Sequence, residues 1–236
     1  YCAVYRYAPS GVSSDKGITQ TDSSVIQNTS SGVVSLANTS NDSVTLKNVS
    51  NSSGNIEVQS SGDVLLNGLL QASAGDVQIQ SQNGNVQFAN NAQTSVSGDI
   101  TVSSGKNIEL GGSYAGKNLS FTAAQNIDGS ASSMTADSLA LAATSGSIGS
   151  TSALALAGTI SEISAQAASN INITKTGDLN LKTVSAGGNA ALANTGSGNV
   201  KISDSVSGNT VNITSTGTIQ HTGSRRAVNA SGDITL

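Results

Sequence analysis

Large side chains and charge are scarce in this chain of 236 residues. Only 3% are aromatic and 10% charged, Trp is absent, and Cys, Pro, Met and His occur once each. So few aromatics leave little to fill a conventional globular core, and little for the sugar-stacking platforms of a polysaccharide-acting enzyme. Cys2 alone cannot form an intramolecular disulfide, and it leaves the redox compartment unread. His221 alone offers no pair of imidazoles for a metal and gives a Ser-His-Asp relay no support, so it reads as an exposed turn residue. The net charge of −4 comes without a basic run, which argues against nucleic acid or an anionic membrane as partner. No apolar run is long enough to cross a bilayer and no signal peptide is present, so any export signal is expected outside this chain.

What the chain does contain is small and polar: 26 Gly and 64 Ser plus Thr, with an apolar fraction of 36% supplied mainly by Val, Ile, Leu and Ala. A disordered polyampholyte would carry more charge, so something regular must bury these aliphatic residues. A solenoid does so, with small polar residues in its turns and aliphatic residues stacked along a narrow interior.

The regularity is a recurring phrase: Gly or a small residue, Asp or Asn, an aliphatic residue, any residue, an aliphatic residue. Gly54-Asn55-Ile56-Glu57-Val58, Gly62-Asp63-Val64-Leu65-Leu66, Gly98-Asp99-Ile100-Thr101-Val102 and Gly232-Asp233-Ile234-Thr235-Leu236 are examples. The first aliphatic positions form two interleaved series. One runs Val34, Ile56, Val77, Ile100, Leu119, Leu139, Ile160, Leu179, Val200, Ile219. The other runs Val44, Val64, Val86, Ile108, Ile127, Ile148, Ile171, Ala190, Val211, Ile234. Both have a mean step near 21, so each unit carries at least two short strands, and uneven spacings leave room for a third side.

Aliphatic-polar-aliphatic is the pattern of a strand with one buried face, and the flanking Gly-Asp or Gly-Asn favours a turn. Strands this short must pair with their equivalents in neighbouring units, in parallel, about 4.8 Å apart. The expected fold is therefore all-β, a right-handed parallel β-helix of about ten coils of about 21 residues, making a rod roughly 50 Å long. Ala190 marks an expected thin spot, offset by Leu192 or by a third-face side chain. The segment from Ser130 to Ala168 is Ala-rich and leaves helix open. Strand is preferred because Leu139-Ala140-Leu141 and Leu154-Ala155-Leu156 keep the alternation, and the period is read as continuing through Ile160 without a change of phase.

Residues 1–28 lack the phrase and hold Tyr1, Tyr5 and Tyr7 with Cys2 and Pro9. They are set apart as a cap, a linker or the end of a preceding domain, with 29–236 as the repeat shaft. The chain stops inside a phrase, so the rod is expected to continue beyond Leu236.

A search for chemistry finds no catalytic, cofactor-binding or metal-binding set. Asp63, Asp76, Asp99, Asp178 and Asp233 hold the turn position that Asn55, Asn85 and Asn199 hold elsewhere, which reads as turn geometry rather than a carboxylate pair or a calcium site. Candidate ligand contacts are Tyr1, Tyr5 and Tyr7 with the adjacent cations Arg225 and Arg226, which suit an acidic glycan. Candidate glycosylation sites are Asn28, Asn38, Asn48 and Asn51, part of a cluster of five Asn-x-Ser/Thr sequons between 28 and 51.

The phrases Ser97-Gly98-Asp99-Ile100-Thr101-Val102, Ser145-Gly146-Ser147-Ile148-Gly149 and Gly196-Ser197-Gly198-Asn199-Val200-Lys201-Ile202 resemble the repeats of filamentous haemagglutinin-like proteins, and the resemblance covers roughly residues 30–236. It implies a β-helical shaft of a large bacterial exoprotein at the cell surface, exported by two-partner secretion through an outer-membrane partner. The roles it implies are adhesion, biofilm formation or contact-dependent growth inhibition, not catalysis. The Asn-Pro-Asn motifs of that family's secretion domain do not occur here, so the chain matches the shaft. The expected partners are the secretion partner and a host or matrix glycan or a neighbouring-cell receptor, bound either by the displayed domain or directly by this segment.

Overall fold

The computed structural model describes residues 11–21, 24–223 and 228–236. Among them there is no helix, and every strand pairing is parallel between units about 21 residues apart, so the chain is a β-solenoid of about ten turns. Inward and outward residues alternate along each strand. In Val77–Ser81, for instance, Val77, Ile79 and Ser81 are buried while Gln78 and Gln80 face solvent.

Each of the earlier coils has three faces. The first face is built from Val34–Asn38, Ile56–Ser60, Val77–Ser81 and Ile100–Ser104, stacked residue on residue. The second carries the column Ile18, Val44, Val64, Val86, Ile108, Ile127, Ile148, Ile171, Ala190, Val211, Ile234, every neighbour paired in register. Each step of the second sequence series is thus a physical rung. The third face holds Ile26–Asn28, residues 48–51 and 69–72, Gln93–Val96 and Ser113–Ala115. Ala190 and Leu192 are both buried, so the inward row is continuous at the expected thin spot.

Residues 11–21 and 24–28, part of the segment set apart in the sequence, supply a further coil. Gly11–Ser14 pairs with residues 35–38, Ile18–Thr19 with 44–45 and Ile26–Asn28 with 49–51. Stacking therefore begins well before residue 29. Gln20 and Ser24 shape the turn between the second and third faces here. Gln20 Nε2 donates to the carbonyls of Ser24 and Asn48, and its Oε1 accepts the N–H groups of Lys47 and Asn48.

The Ala-rich segment is strand, in Ser132–Ala143, Leu154–Ala157 and Ile160–Ala167. Its phase does change. Leu139 pairs with Ile163, while Ile160 pairs with Ala136. In the early coils a corner of variable length separates the second and third faces: Lys47 alone, then residues 67–68, then 89–92, then 111–112. From Ile171–Thr176 onward those two faces run as one strand. The spare residues reappear inside the first face, with Ser164 opposite residues 182–183 and Lys182 opposite residues 203–204. The unit length survives this exchange, so spacing alone hides it.

The core is one continuous cluster of aliphatic residues. Three rings widen it where Phe88, Tyr114 and Phe121 meet edge to face, with centroids 5.1, 5.4 and 6.3 Å apart. At the end of the first face the inward column grades from Asn38 through Ser60, Ser81 and Ser104 to Ala123, Ala143, Ala167 and Ala186. The abundance of alanine thus fills a narrow corner.

Candidate functional site

The turn position before each first aliphatic residue builds a polar ladder along the rod. Asp63 Oδ1 accepts the N–H of Asn85 at 2.7 Å, Asn85 Oδ1 that of Asn107, and Asn107 Oδ1 that of Asn126 at 3.0 Å. Asn126, Ser147, Asn170 and Asn189 carry the chain of bonds on to Thr210. A second ladder climbs from Asn55 through Asp76 and Asp99 to Asn118, and a third links Asp178, Asn199 and Thr218. At each of these rungs the side-chain oxygen takes a backbone N–H of the coil above that would otherwise lack a partner. Asp and Asn exchange because both supply that oxygen, and at Asn85, Asn107 and Asn118 the Nδ2 also donates to the oxygen of the coil below.

Beside the longest ladder lies a groove of about 520 Å³, whose lining includes the outward residues Thr45, Leu65, Gln87, Glu109 and Asp128 of the second face. Glu109 and Asp128 are register neighbours, which brings two carboxylates to adjacent rungs. Asp128 is committed, however. Its two oxygens accept the N–H groups of Ser150 and Thr151 and the Ser150 hydroxyl, fixing the turn that ends the groove. It holds a loop. Among the described residues no three His, Cys, Asp or Glu side chains come together as a possible metal site.

Three of the four glycosylation candidates are enclosed. Asn28, Asn38 and Asn51 are no more than 3% exposed, and their Nδ2 groups donate to turn carbonyls, including Gly32 for Asn28 and Asn51, and Asp42 for Asn38. Their Oδ1 atoms accept the N–H of the residue two positions on, Ser30, Ser40 and Ser53. At these positions Asn-x-Ser is the signature of a side-chain-closed turn, which accounts for much of the sequon cluster. Asn48 is half-buried, and its backbone is bound to Gln20.

Tyr1, Tyr5, Tyr7, Arg225 and Arg226 lie outside the described residues. His221 is exposed, as expected, but ends the strand Ile219–His221 opposite Ile202 instead of sitting in a turn. The exposed ion pair of Lys182 with Glu162, at 2.8 Å, spans two coils beside the displaced corner.

Two buried polar groups were not singled out in the sequence. Tyr114 is 2% exposed, and its hydroxyl makes no hydrogen bond of good geometry. Burial pushes its pKa well above the ordinary phenol value, against a smaller opposing pull from the Gly111 backbone. Lys175 is 3% exposed with its ammonium on the carbonyls of Gly158 and Thr176. The third residue of Ile171-Asn172-Ile173-Thr174-Lys175 after an inward Ile171 signals Ile173, and two further places Lys175 on the same inward row. That alternation was the available clue.

No family model, curated protein or solved structure matches this chain.

Proposed function

We propose that this chain is part of the shaft of a large secreted bacterial surface protein of the filamentous haemagglutinin-like kind, exported through an outer-membrane partner. Its task is to hold an adhesive, biofilm-forming or growth-inhibiting domain away from the cell. The observation that carries this reading is the unbroken second-face column from Ile18 to Ile234, one rung per coil with no interruption. A spacer needs only length and stiffness. Parallel pairing on every coil, reinforced by the axial Asp/Asn ladder, supplies both. The repeated Gly-Asp-aliphatic phrase supports the choice of family.

The test is to excise one whole coil, residues 77–99, from the full-length protein, so that Ile100 takes the place of Val77 in the first-face column. A shaft tolerates this: the protein is exported and its displayed activity persists. Loss of activity in a secreted, folded variant would overturn the reading. The second-face groove favours one other reading, direct binding of a glycan along Gln87, Glu109 and Asp128. That reading predicts saturable glycan binding by this chain alone, abolished by Gln87→Ala with Glu109→Ala.

A further inference from the structure

The inward column of the third face runs Leu156, Lys175, Asn194 on successive coils. Lys175 Nζ donates to Gly158 O at 3.0 Å and to Thr176 O at 3.1 Å. The second bond folds the side chain back on its own strand end. The ammonium is thereby held at the corner beneath Asn194, whose backbone is one rung, about 4.8 Å, away.

Asn194 is 2% exposed and turned so that its Oδ1 accepts the N–H of Thr216 from the coil above, at 2.9 Å. Its Nδ2 is left enclosed with no acceptor. An ammonium carries three N–H donors, and two are accounted for. The corner therefore gathers an unmet amide N–H, one remaining ammonium N–H and a positive charge. Elsewhere the same kind of strand-end position is met in full. Asn51 Nδ2 reaches the carbonyls of Gly32 and Asn55, and Ser104 Oγ those of Gly84 and Asn107. An enclosed amide N–H without an acceptor is costly enough that native interiors supply one, often as a bound water.

We propose that Lys175 Nζ and Asn194 Nδ2 share one small lone-pair acceptor held between the two coils, a chloride ion or a water molecule. The ammonium charge and the unmet amide N–H suit a halide. A water would fill the same place through its oxygen. Burial lowers the Lys175 pKa, with exposed Asp178 pulling it back, and an anion at this corner would favour the charged amine further.

Crystals of the full chain grown with bromide in place of chloride test this. An anomalous peak within hydrogen-bond reach of both nitrogens identifies a halide, and a peak without anomalous signal identifies water. No density between the two nitrogens overturns the proposal. Asn194→Asp serves as a second arm, because it puts a carboxylate oxygen where Nδ2 stands and supplies the acceptor from the chain itself. The variant should lose the peak and melt higher than the parent. A peak that persists unchanged in Asn194→Asp also overturns the proposal.

Discussion

The backbone N–H of Asn85 donates to Asp63 Oδ1 at 2.7 Å, and the side-chain oxygen of Asn85 accepts the N–H of Asn107 one coil further on. Each rung of this ladder both receives and supplies a backbone N–H bond, and Asn85 and Asn107 add an Nδ2 bond to the oxygen below, so its loss should be felt locally. Asn107→Ala leaves the N–H of Asn126 without its acceptor, at a cost of about 1 kcal/mol. In a chain of this size that lowers the melting temperature by about 2–4 °C. Asn107→Asp gives up the Nδ2 bond to Asn85 but keeps the acceptor, and should melt between the alanine variant and the parent. Thermal unfolding of the two variants side by side checks the ordering.

Ile100 is fully buried between Val77 and Leu119. Ile100→Asp places a carboxylate with no partner in that row, and the coils on both sides should open, seen as early proteolysis and loss of the cooperative melt. Ile100→Val removes one methylene and should cost about 0.5–1.5 kcal/mol. Equal behaviour of the two variants would mean that this row is not the core.

At many of the glycine turns the coil below comes close to the Cα. A Cβ on Gly54 would run into the carbonyl of Gly32 in the coil below, whereas one on Gly11 meets nothing nearer than the Ser35 carbonyl at 4.0 Å. Gly54→Ala should therefore destabilise by about 1–3 kcal/mol through forced backbone shifts. Gly11→Ala should be neutral. Chemical denaturation of both variants distinguishes steric contact from a general intolerance of alanine.

Tyr114 packs its ring between Phe88 and Phe121, but its hydroxyl goes unmet. Tyr114→Phe keeps the ring and should be neutral or stabilising by up to about 1 kcal/mol at pH 7. Burial raises the phenol pKa in the folded chain, so the folded state holds the proton more tightly than the unfolded one. The stability linked to it is complete below the unfolded value near 10 and is lost as pH rises through the raised folded value. Melting temperatures measured from pH 8 to 11 should fall more steeply for the parent than for Tyr114→Phe.

The second-face column could be read from sequence rung by rung, because Val44 through Ile234 each open a short strand, or at Ile148 a single bridge, at a fixed place after an Asp, Asn or small residue. The first face could be read again from Leu179 through Val200 to Ile219, and before that as far as Leu139. Beyond it the corner moves from one side of the coil to the other while the unit length is kept, so a 21-residue step from Leu139 lands on Ile160 when the true neighbour is Ile163. Spacing reports the sum of the three sides and not how residues are shared among them. The turn role of Asp63, Asp76 and Asp99 was visible in their exchange with Asn. That their oxygens bond the coil above was not, since a repeat phrase carries no information about which neighbour a side chain meets. The sequons at Asn28, Asn38 and Asn51 likewise read as surface features because Asn is usually exposed. Only the paired strands show that these amides close buried turns.

Stacking in register makes one distance decisive. Gln87 and Asn212 are exposed on the second face and separated by six rungs, through Glu109, Asp128, Gly149, Asn172 and Ala191. Spin labels on Gln87→Cys and Asn212→Cys, in a chain with Cys2→Ser, should give a single narrow distance of about 29 Å, six spacings of about 4.8 Å. A broad distribution, or a narrow one far from this value, would contradict a continuous solenoid through the displaced corner.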